Sequence, residues 1–326
     1  MSRRPVRRRH RVARALAVLG VLVSAVGVFL HHSTWTAAPV LVGATFASWA
    51  WLCCVPALVL AAWGRSVPAA LLAVLLVGTG VVQHGPLFRA DGPDGGAALV
   101  VAVQNLEFGG ADAVRVVDDA RSSGADVLLT VEMTPDSARA LDDAGARELF
   151  PHRALQPRAG AAGVGVFSRH PVDPGVLHPG FELGVLSTVA HTPAGPVTVV
   201  AAHPVSPIGP SGAPQRSAAE ADRLQTVLAE LPGDRPAVVG GDFNATWDHA
   251  RFRRLERSGF RDSVDGGGDG LVATWPVDER VRPLIGIDHV LARGARSVGD
   301  TRAHDVPGTD HRGLVATVRL DAPAGR

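Results

Sequence analysis

Asp242 and Asn244 stand two residues apart at the end of the run Ala237-Val238-Val239-Gly240-Gly241. The β-branched apolar residues predict a strand heading into a core. The two glycines allow a sharp turn and a close approach of backbone. On an extended backbone a spacing of two aims both side chains the same way. A carboxylate and an amide side by side at a strand end can orient a water and a phosphate oxygen. The same pair suits an ordinary strand-to-turn junction, where Asp and Asn are common, so the rest of the chain has to decide.

Polar residues recur at the ends of other apolar runs. Asn105 and Glu107 follow Ala98–Gln104, Glu132 ends Asp126–Val131, and His203 ends Pro196–Ala202. Asp288 and His289 interrupt Ile285–Leu291, and Thr309-Asp310-His311 precede Gly313–Leu320. Strand ends gather residues that are distant in sequence, so ligand sites collect there. Gly163–Phe167 and Leu186–Ala190 read as further strands. Helices are expected over Ala111–Ser123, stopped by Gly124, over Pro214–Leu231 with Pro at its start, and near Asp248–Arg257. No repeat at solenoid periods is present.

Of 326 residues none is Lys or Tyr, so all 32 basic residues are Arg. Residues 1–90 contain nine Arg and no acid, which leaves 23 Arg against 31 acids in 91–326, a net charge of 23 − 31 = −8. An acidic domain matches DNA poorly, because nucleic-acid binders carry a basic footprint, and nucleic acid is not expected as a partner. The only cysteines, Cys53 and Cys54, are adjacent and apolar in context. They offer neither a disulfide framework nor a zinc spacing.

Residues 1–14 hold seven Arg, and three charge-free apolar runs follow: Ala15–Leu30, Ala37–Trp63 and Val67–Val82. Spanning a bilayer takes about 20 apolar residues, with a range of roughly 17–25. The second run passes easily; the first and third need their neighbours. A basic start with one apolar stretch also reads as a signal peptide, but two more runs follow it. Three membrane helices are expected across 15–90. The Arg-rich N-terminus stays in the cytoplasm, so three crossings place the acidic part outside. Glycine- and proline-rich 91–97 reads as a linker, leaving 98–326 as the functional domain.

Several segments together resemble the endonuclease/exonuclease/phosphatase superfamily. They are Gln104-Asn105-Leu106-Glu107, 126–132 ending in Glu132, Gly165-Val166-Phe167-Ser168-Arg169, Ala202-His203-Pro204, Gly241-Asp242-Phe243-Asn244, Ala273-Thr274-Trp275, Ile287-Asp288-His289-Val290 and Thr309-Asp310-His311-Arg312. They come in the family's order and cover about Ala98 to Leu320. The resemblance implies a four-layer α/β/β/α sandwich of two packed, mostly antiparallel sheets, with metal-dependent phosphoester hydrolysis at one end. It implies Glu132 as the metal carboxylate, with Asn105 and Asp310 beside the metal and Glu107 where many relatives have Asp. A hard oxygen donor of this kind suits Mg²⁺ or Mn²⁺. It implies Asp242 as the residue that orients or deprotonates the attacking water and Asn244 as the amide on a phosphate oxygen. His311 is implied as a charge stabiliser braced by Asp288, and His203 as facing the phosphate or leaving group. His289 is expected to be a spectator, Ser168 and Arg169 to pack or brace a strand end, and Trp275 and His304 to lie in the core or rim.

The absence of Tyr fits badly with branches that use an active-site Tyr, such as abasic-site repair nucleases. Three membrane helices ahead of such a domain resemble the membrane proteins associated with glycopeptide (teicoplanin) resistance. That implies a multi-pass cell-membrane hydrolase of a lipid or lipid-linked cell-envelope phosphoester or pyrophosphate, acting at the extracytoplasmic face. The other readings are an extracytoplasmic nuclease or nucleotide phosphodiesterase, and an inactive domain that binds a phosphorylated ligand. No obligate protein partner is evident.

Overall fold

The structure, a computed structural model, describes residues 4–90, 92, 95–209, 211–278 and 280–321. Of the expected linker, Asp91, Pro93 and Asp94 lie outside the described residues, as do Met1–Arg3 of the basic start. The chain divides into two compact units: Met1–Pro86 with Trp247–Ala250, and Leu87–Thr246 with Arg251–Arg326.

The first unit contains α1 (Arg4–His32), α2 (Ala38–Ala44), α3 (Ala47–Leu52), α4 (Cys54–Trp63) and α5 (Val67–His84). Helix α1 runs back through the arginines because Arg and Ala are strong helix formers and Pro5 sits in the first turn, where no N–H is needed. The helices bury small residues: Ala17 with Ala61 and Ala69, and Val21 with Ala57 and Ala73. Gly80 has no room for a side chain, since an added Cβ would fall 1.6 Å from the Trp51 ring. The large aliphatics Leu16, Leu19, Leu22, Leu71, Leu75 and Val82 face outward. Small inside and large apolar outside inverts the soluble pattern and is how helices pack in lipid.

Among the described residues, two continuous helices are long and apolar enough to cross a membrane, Arg7–His32 and Val67–Phe88. The run expected to span most easily is the bent one: Ala38–Ala44 and Ala47–Trp63 meet at 69°. Poor helix formers Gly43 and Thr45 precede the bend, and Phe46 leaves helical geometry at φ −110°, ψ 13°. A second irregularity at Cys53 follows from Pro56, which cannot bond the carbonyl of Leu52 and crowds it.

Among the described residues the second unit has twelve strands: β1 (Ala97–Asn105), β2 (Val127–Val131), β3 (His152–Gln156), β4 (Val164–Ser168), β5 (Val176–Leu177), β6 (Gly184–Thr192), β7 (Gly195–His203), β8 (Ala237–Asp242), β9 (Arg261–Asp262), β10 (Asp288–Arg293), β11 (Ser297–His304) and β12 (Gly313–Leu320). They form two six-stranded sheets, ordered β11-β12-β1-β2-β4-β3 and β5-β6-β7-β8-β10-β9. Each has one parallel pair, β1–β2 and β7–β8. Their inner faces share one core, with Leu99, Val101, Val103, Val127, Leu129 and Val131 meeting Leu186, Val197, Val199, Val238 and Val290.

Helices α6 (Ala113–Ser122), α7 (Pro135–Asp143) and α8 (Ala146–Leu149) cover the outer face of the first sheet through Val116, Val117, Leu141 and Ala146. Helix α9 (Ala213–Glu230) is tied to β10 by the Arg293 guanidinium, which donates to the carbonyls of Leu228 and Leu231. Two short helices, α10 (Ala250–Arg257) and α11 (Ser263–Gly267), follow β8. The expected helix from Asp248 begins two residues later, and Trp247–Ala250 pack in the first unit. Edge strands β3, β5, β9 and β11 carry too little apolar alternation to stand out in the sequence.

Candidate active site

Strand register brings the chemistry to one end of the sandwich. In the first sheet the parallel pairing sets Asn105 opposite Val131, so Glu132 leaves its strand beside Asn105. In the second sheet Asp242 pairs directly with Asp288, and His203 ends β7 next to β8. The loop Thr309–Arg312 enters β12 at the same end, since Leu314 pairs with Val103.

The local backbone is shaped for the task. Gly241 has φ +148°, and a Cβ there would lie 2.0 Å from the Ala202 carbonyl oxygen, so only glycine fits between β7 and Asp242. Glu107, Glu132 and Asn244 are non-glycine residues at φ +44°, +57° and +50°. Such conformations cost free energy and persist where the surroundings impose them, as at functional sites.

Asn105 sits at the centre. Its Nδ2 donates to Asp242 Oδ2 at 3.1 Å and Glu132 Oε1 at 3.3 Å, and its Oδ1 accepts the Glu107 N–H at 2.9 Å. Glu132 Oε2 also accepts the Phe108 N–H at 2.9 Å. Glu107 Oε2 accepts the Asp310 N–H at 2.7 Å, so this carboxylate braces the loop that presents Asp310. Asp242 Oδ1 accepts the Asn244 N–H at 2.8 Å, while the Asn244 amide donates to the Pro204 carbonyl at 3.1 Å. His311 Nδ1 donates to Asp288 Oδ2 at 2.9 Å; its Nε2 lies 3.6 Å from Asp242 Oδ2 and 3.7 Å from Asp310 Oδ1. His203 Nε2 is 3.6 Å from Asp242 Oδ2 and 3.8 Å from Glu132 Oε1. All nine residues expected in the site therefore converge.

Burial opposes the protonation of His311, but Asp288 and Asp242 outweigh it and push the imidazole up to about 10. Burial lowers His203, with Asp242 opposing. Burial raises Asp242 against the pull of His311, and burial likewise raises Glu132 and Glu107, the latter helped by Asp310. Five carboxylates thus face one imidazolium, and Asp288 Oδ1 is buried without a hydrogen-bond partner. An excess of hard oxygen donors over positive charge is the chemistry of a divalent-cation site. Asp242, Asp288 and His311 also place one donor atom each within 4.8 Å of the others.

Other residues hold the arrangement. Trp275 Nε1 donates to Asp310 Oδ2 at 2.9 Å, Thr309 Oγ1 donates to the Asn105 carbonyl at 3.0 Å, and Thr274 Oγ1 accepts the N–H groups of Ile287 and Asp288. All three lie inside motifs quoted above, but nothing in their residue types foretold these bonds. His289, next to Asp288 on a strand, points to the opposite face. It packs on Phe252 at 4.1 Å between centroids and bonds Asp262 and the Ala245 carbonyl. Ser168 pairs with Val127, at the far end of β2 and about 13 Å by strand rise from Val131, the residue before Glu132. Ser168 and Arg169 therefore lie away from the site, and Ser168 Oγ accepts the His170 N–H as a strand-end brace. His304 faces Asp119 at 3.3 Å on the outer side.

The profile of the Endonuclease/Exonuclease/phosphatase family matches residues 102–311, and the chain belongs to that family. Members are typically metal-dependent phosphoesterases, and this chain carries groups placed to hold a divalent ion. Its fold is similar to a humanized D. rerio TDP2, with 14% identity and TM-score 0.55 over 68% of this chain and 99% of that one. It is similar to SmcL, at 15% identity and TM-score 0.54 over 68% and 99%. It is also similar to an endonuclease/exonuclease/phosphatase family protein from Bacteroides thetaiotaomicron, at 17% identity and TM-score 0.51 over 70% and 100%. No curated protein matches the chain.

Proposed function

We propose that this protein is a membrane-anchored phosphohydrolase, dependent on Mg²⁺ or Mn²⁺, that cleaves a phosphoester or pyrophosphate of a lipid or lipid-linked cell-envelope substrate outside the cytoplasm. The observation that carries the reading is the join, in one chain, of a carboxylate–imidazole–amide cluster and helices that turn large aliphatics outward. The exposed ring of Phe108, beside Glu107 and the N–H that holds Glu132, adds an apolar contact at the rim. Seven Arg within residues 1–14, ahead of the apolar part of α1, favour a cytoplasmic start. The resemblance to the teicoplanin-resistance membrane proteins points the same way.

Glu132, with Asn105 and Asp310, would hold the cation, and Glu107 would fix the Asp310 loop. The bound ion supplies charge neutralisation at the phosphoryl oxygens. Asp242 aligns the attacking water and takes its proton, which the nearby imidazolium helps it to keep in its ionised form beforehand. Asn244 offers its second amide N–H to a phosphoryl oxygen. His311, kept protonated by Asp288, donates toward the charge that builds in the transition state. His203, kept neutral by burial, faces the leaving-group side.

The test is a substrate panel on the purified full chain in detergent and in vesicles, comparing lipid phosphates, polyprenyl pyrophosphate, nucleotides and DNA with Mg²⁺ or Mn²⁺. Faster turnover of lipid-borne phosphate, increased further in vesicles, supports the reading, because anchoring raises the effective concentration of a membrane substrate only. Preference for DNA or nucleotides would replace it with the nuclease reading.

A further inference from the structure

A second polar cluster lies within the first unit and shares no residue with those assigned to hydrolysis. His31 ends α1, His84 ends α5, Ser48 lies in α3, and Asp248 comes from the Trp247–Ala250 segment of the same unit. His31, His84 and Asp248 are buried, and their donor atoms lie within 4.8 Å of one another. His31 Nδ1 is 2.7 Å from Asp248 Oδ1, and His84 Nε2 is 3.3 Å from the same oxygen. Ser48 Oγ touches His84 Nε2 at 2.9 Å and also Asp248 Oδ2.

The hydrogens do not suffice for these contacts. His84 Nδ1 faces the Gly80 carbonyl at 3.1 Å, an acceptor only, so Nδ1 carries the proton. In neutral His84 that leaves a lone pair on Nε2, aimed at two oxygens. The single Ser48 hydroxyl hydrogen can serve His84 or Asp248, not both. Whichever it serves, one close contact between electron-rich atoms remains. A buried contact of that kind calls for one more positive centre.

We propose that a zinc-class divalent cation fills this role, bound by His31, His84 and Asp248 with Ser48 beside them. Two imidazoles and one carboxylate form a borderline donor set that suits zinc, unlike the oxygen-rich hydrolytic cluster. The His84 Nδ1–H bond to a backbone carbonyl is the outer-shell contact that orients a metal-binding imidazole. Bonds of about 2.0–2.1 Å in tetrahedral array set ligand atoms about 3.3 Å apart. His84 and Asp248 already have that spacing. The His31–Asp248 pair would open by about 0.6 Å as the cation replaces the bridging proton.

The experiment uses the full chain in detergent, stripped with chelator and titrated with Zn²⁺ or Co²⁺. A Glu132→Gln/Asp242→Asn background removes the competing hydrolytic site. One tightly bound Zn²⁺ per chain is expected in that background, with the visible absorption of four-coordinate Co²⁺. Both should disappear on adding His84→Ala, or Asp248→Asn, which keeps side-chain size should the first variant fail to fold. Mg²⁺-dependent hydrolysis in the otherwise wild-type His84→Ala chain should stay within a few-fold of normal. Equal Zn²⁺ stoichiometry with and without His84 and Asp248 would overturn the proposal. So would the absence of bound Zn²⁺ in the background chain, which would assign the positive centre to a proton.

Discussion

Asp288 and His311 face each other across the active end of the sandwich, Oδ2 to Nδ1 2.9 Å, both buried. The bond orients the imidazole so that Nε2 points toward Asp242 and Asp310, and with Asp242 it raises the imidazole to about 10. Asp288→Asn keeps the shape and removes the charge. The alkaline limb of the kcat profile, which reports loss of the His311 proton, should move to lower pH by more than one unit. The raised value also links to stability. The contribution is complete below the ordinary imidazole value near 6.5 and is lost as pH rises through about 10. The stability gap between the parent and His311→Ala should therefore shrink as pH rises from about 6.5 to about 10 and level off above it, as denaturant midpoints measured across that window would reveal. A pH-independent gap would contradict the pairing.

Asp242 and His311 are expected to act as one unit. Asp242→Asn and His311→Ala should each lower kcat by about 10²–10⁴-fold with little change in KM. The double variant should lose less than the product of the single losses. Steady-state kinetics on all three variants checks this, and multiplicative losses or an effect confined to KM would refute it.

Glu132 is raised by burial among other carboxylates, so without metal its ionised form strains the fold. Glu132→Gln should abolish metal-dependent turnover by orders of magnitude and leave the metal-free protein at least as stable above pH 5. Calorimetry with chelator and with added Mg²⁺ separates the two effects. The parent should gain stability from the ion and the variant should not.

Glu256 is raised to about 8 by burial first and by Asp265 second. Between its ordinary value near 4.5 and about 8 the unfolded chain has released a proton that the folded chain keeps. Stability therefore falls as pH rises through that window. Glu256→Gln should flatten this slope, most visibly in the midpoint difference between pH 5 and 9. An unchanged slope would place the titrating group elsewhere.

The site was more legible in the sequence than the membrane unit. Asp242 and Asn244 announce themselves by a spacing of two after an apolar run, and Asp310-His311 by position before the last strand. The contacts of Trp275, Thr274 and Thr309 were not legible, because they depend on cross-sheet register, which no local pattern encodes. Ser168 was expected to pack or brace a strand end, and the antiparallel pairing of β2 with β4 sets it there, at the end of the sheet away from Glu132. Hydropathy alone ranked Ala37–Trp63 as the best span, yet the bend at Phe46 and the effect of Pro56 are backbone matters that average hydropathy misses. Asp248 looked like the start of a helix, and its packing among α1, α3 and α5 comes from tertiary contacts alone.

The central claim, a divalent-metal phosphoesterase built on Asp242, is tested most directly by product release. The full chain, purified in detergent and stripped with chelator, is given a simple phosphodiester and a phosphomonoester with and without Mg²⁺ or Mn²⁺, beside Asp242→Asn. The account predicts turnover that appears only with added metal and falls at least about 10²-fold in the variant. Turnover that is equal without metal, or undiminished in Asp242→Asn, would contradict it.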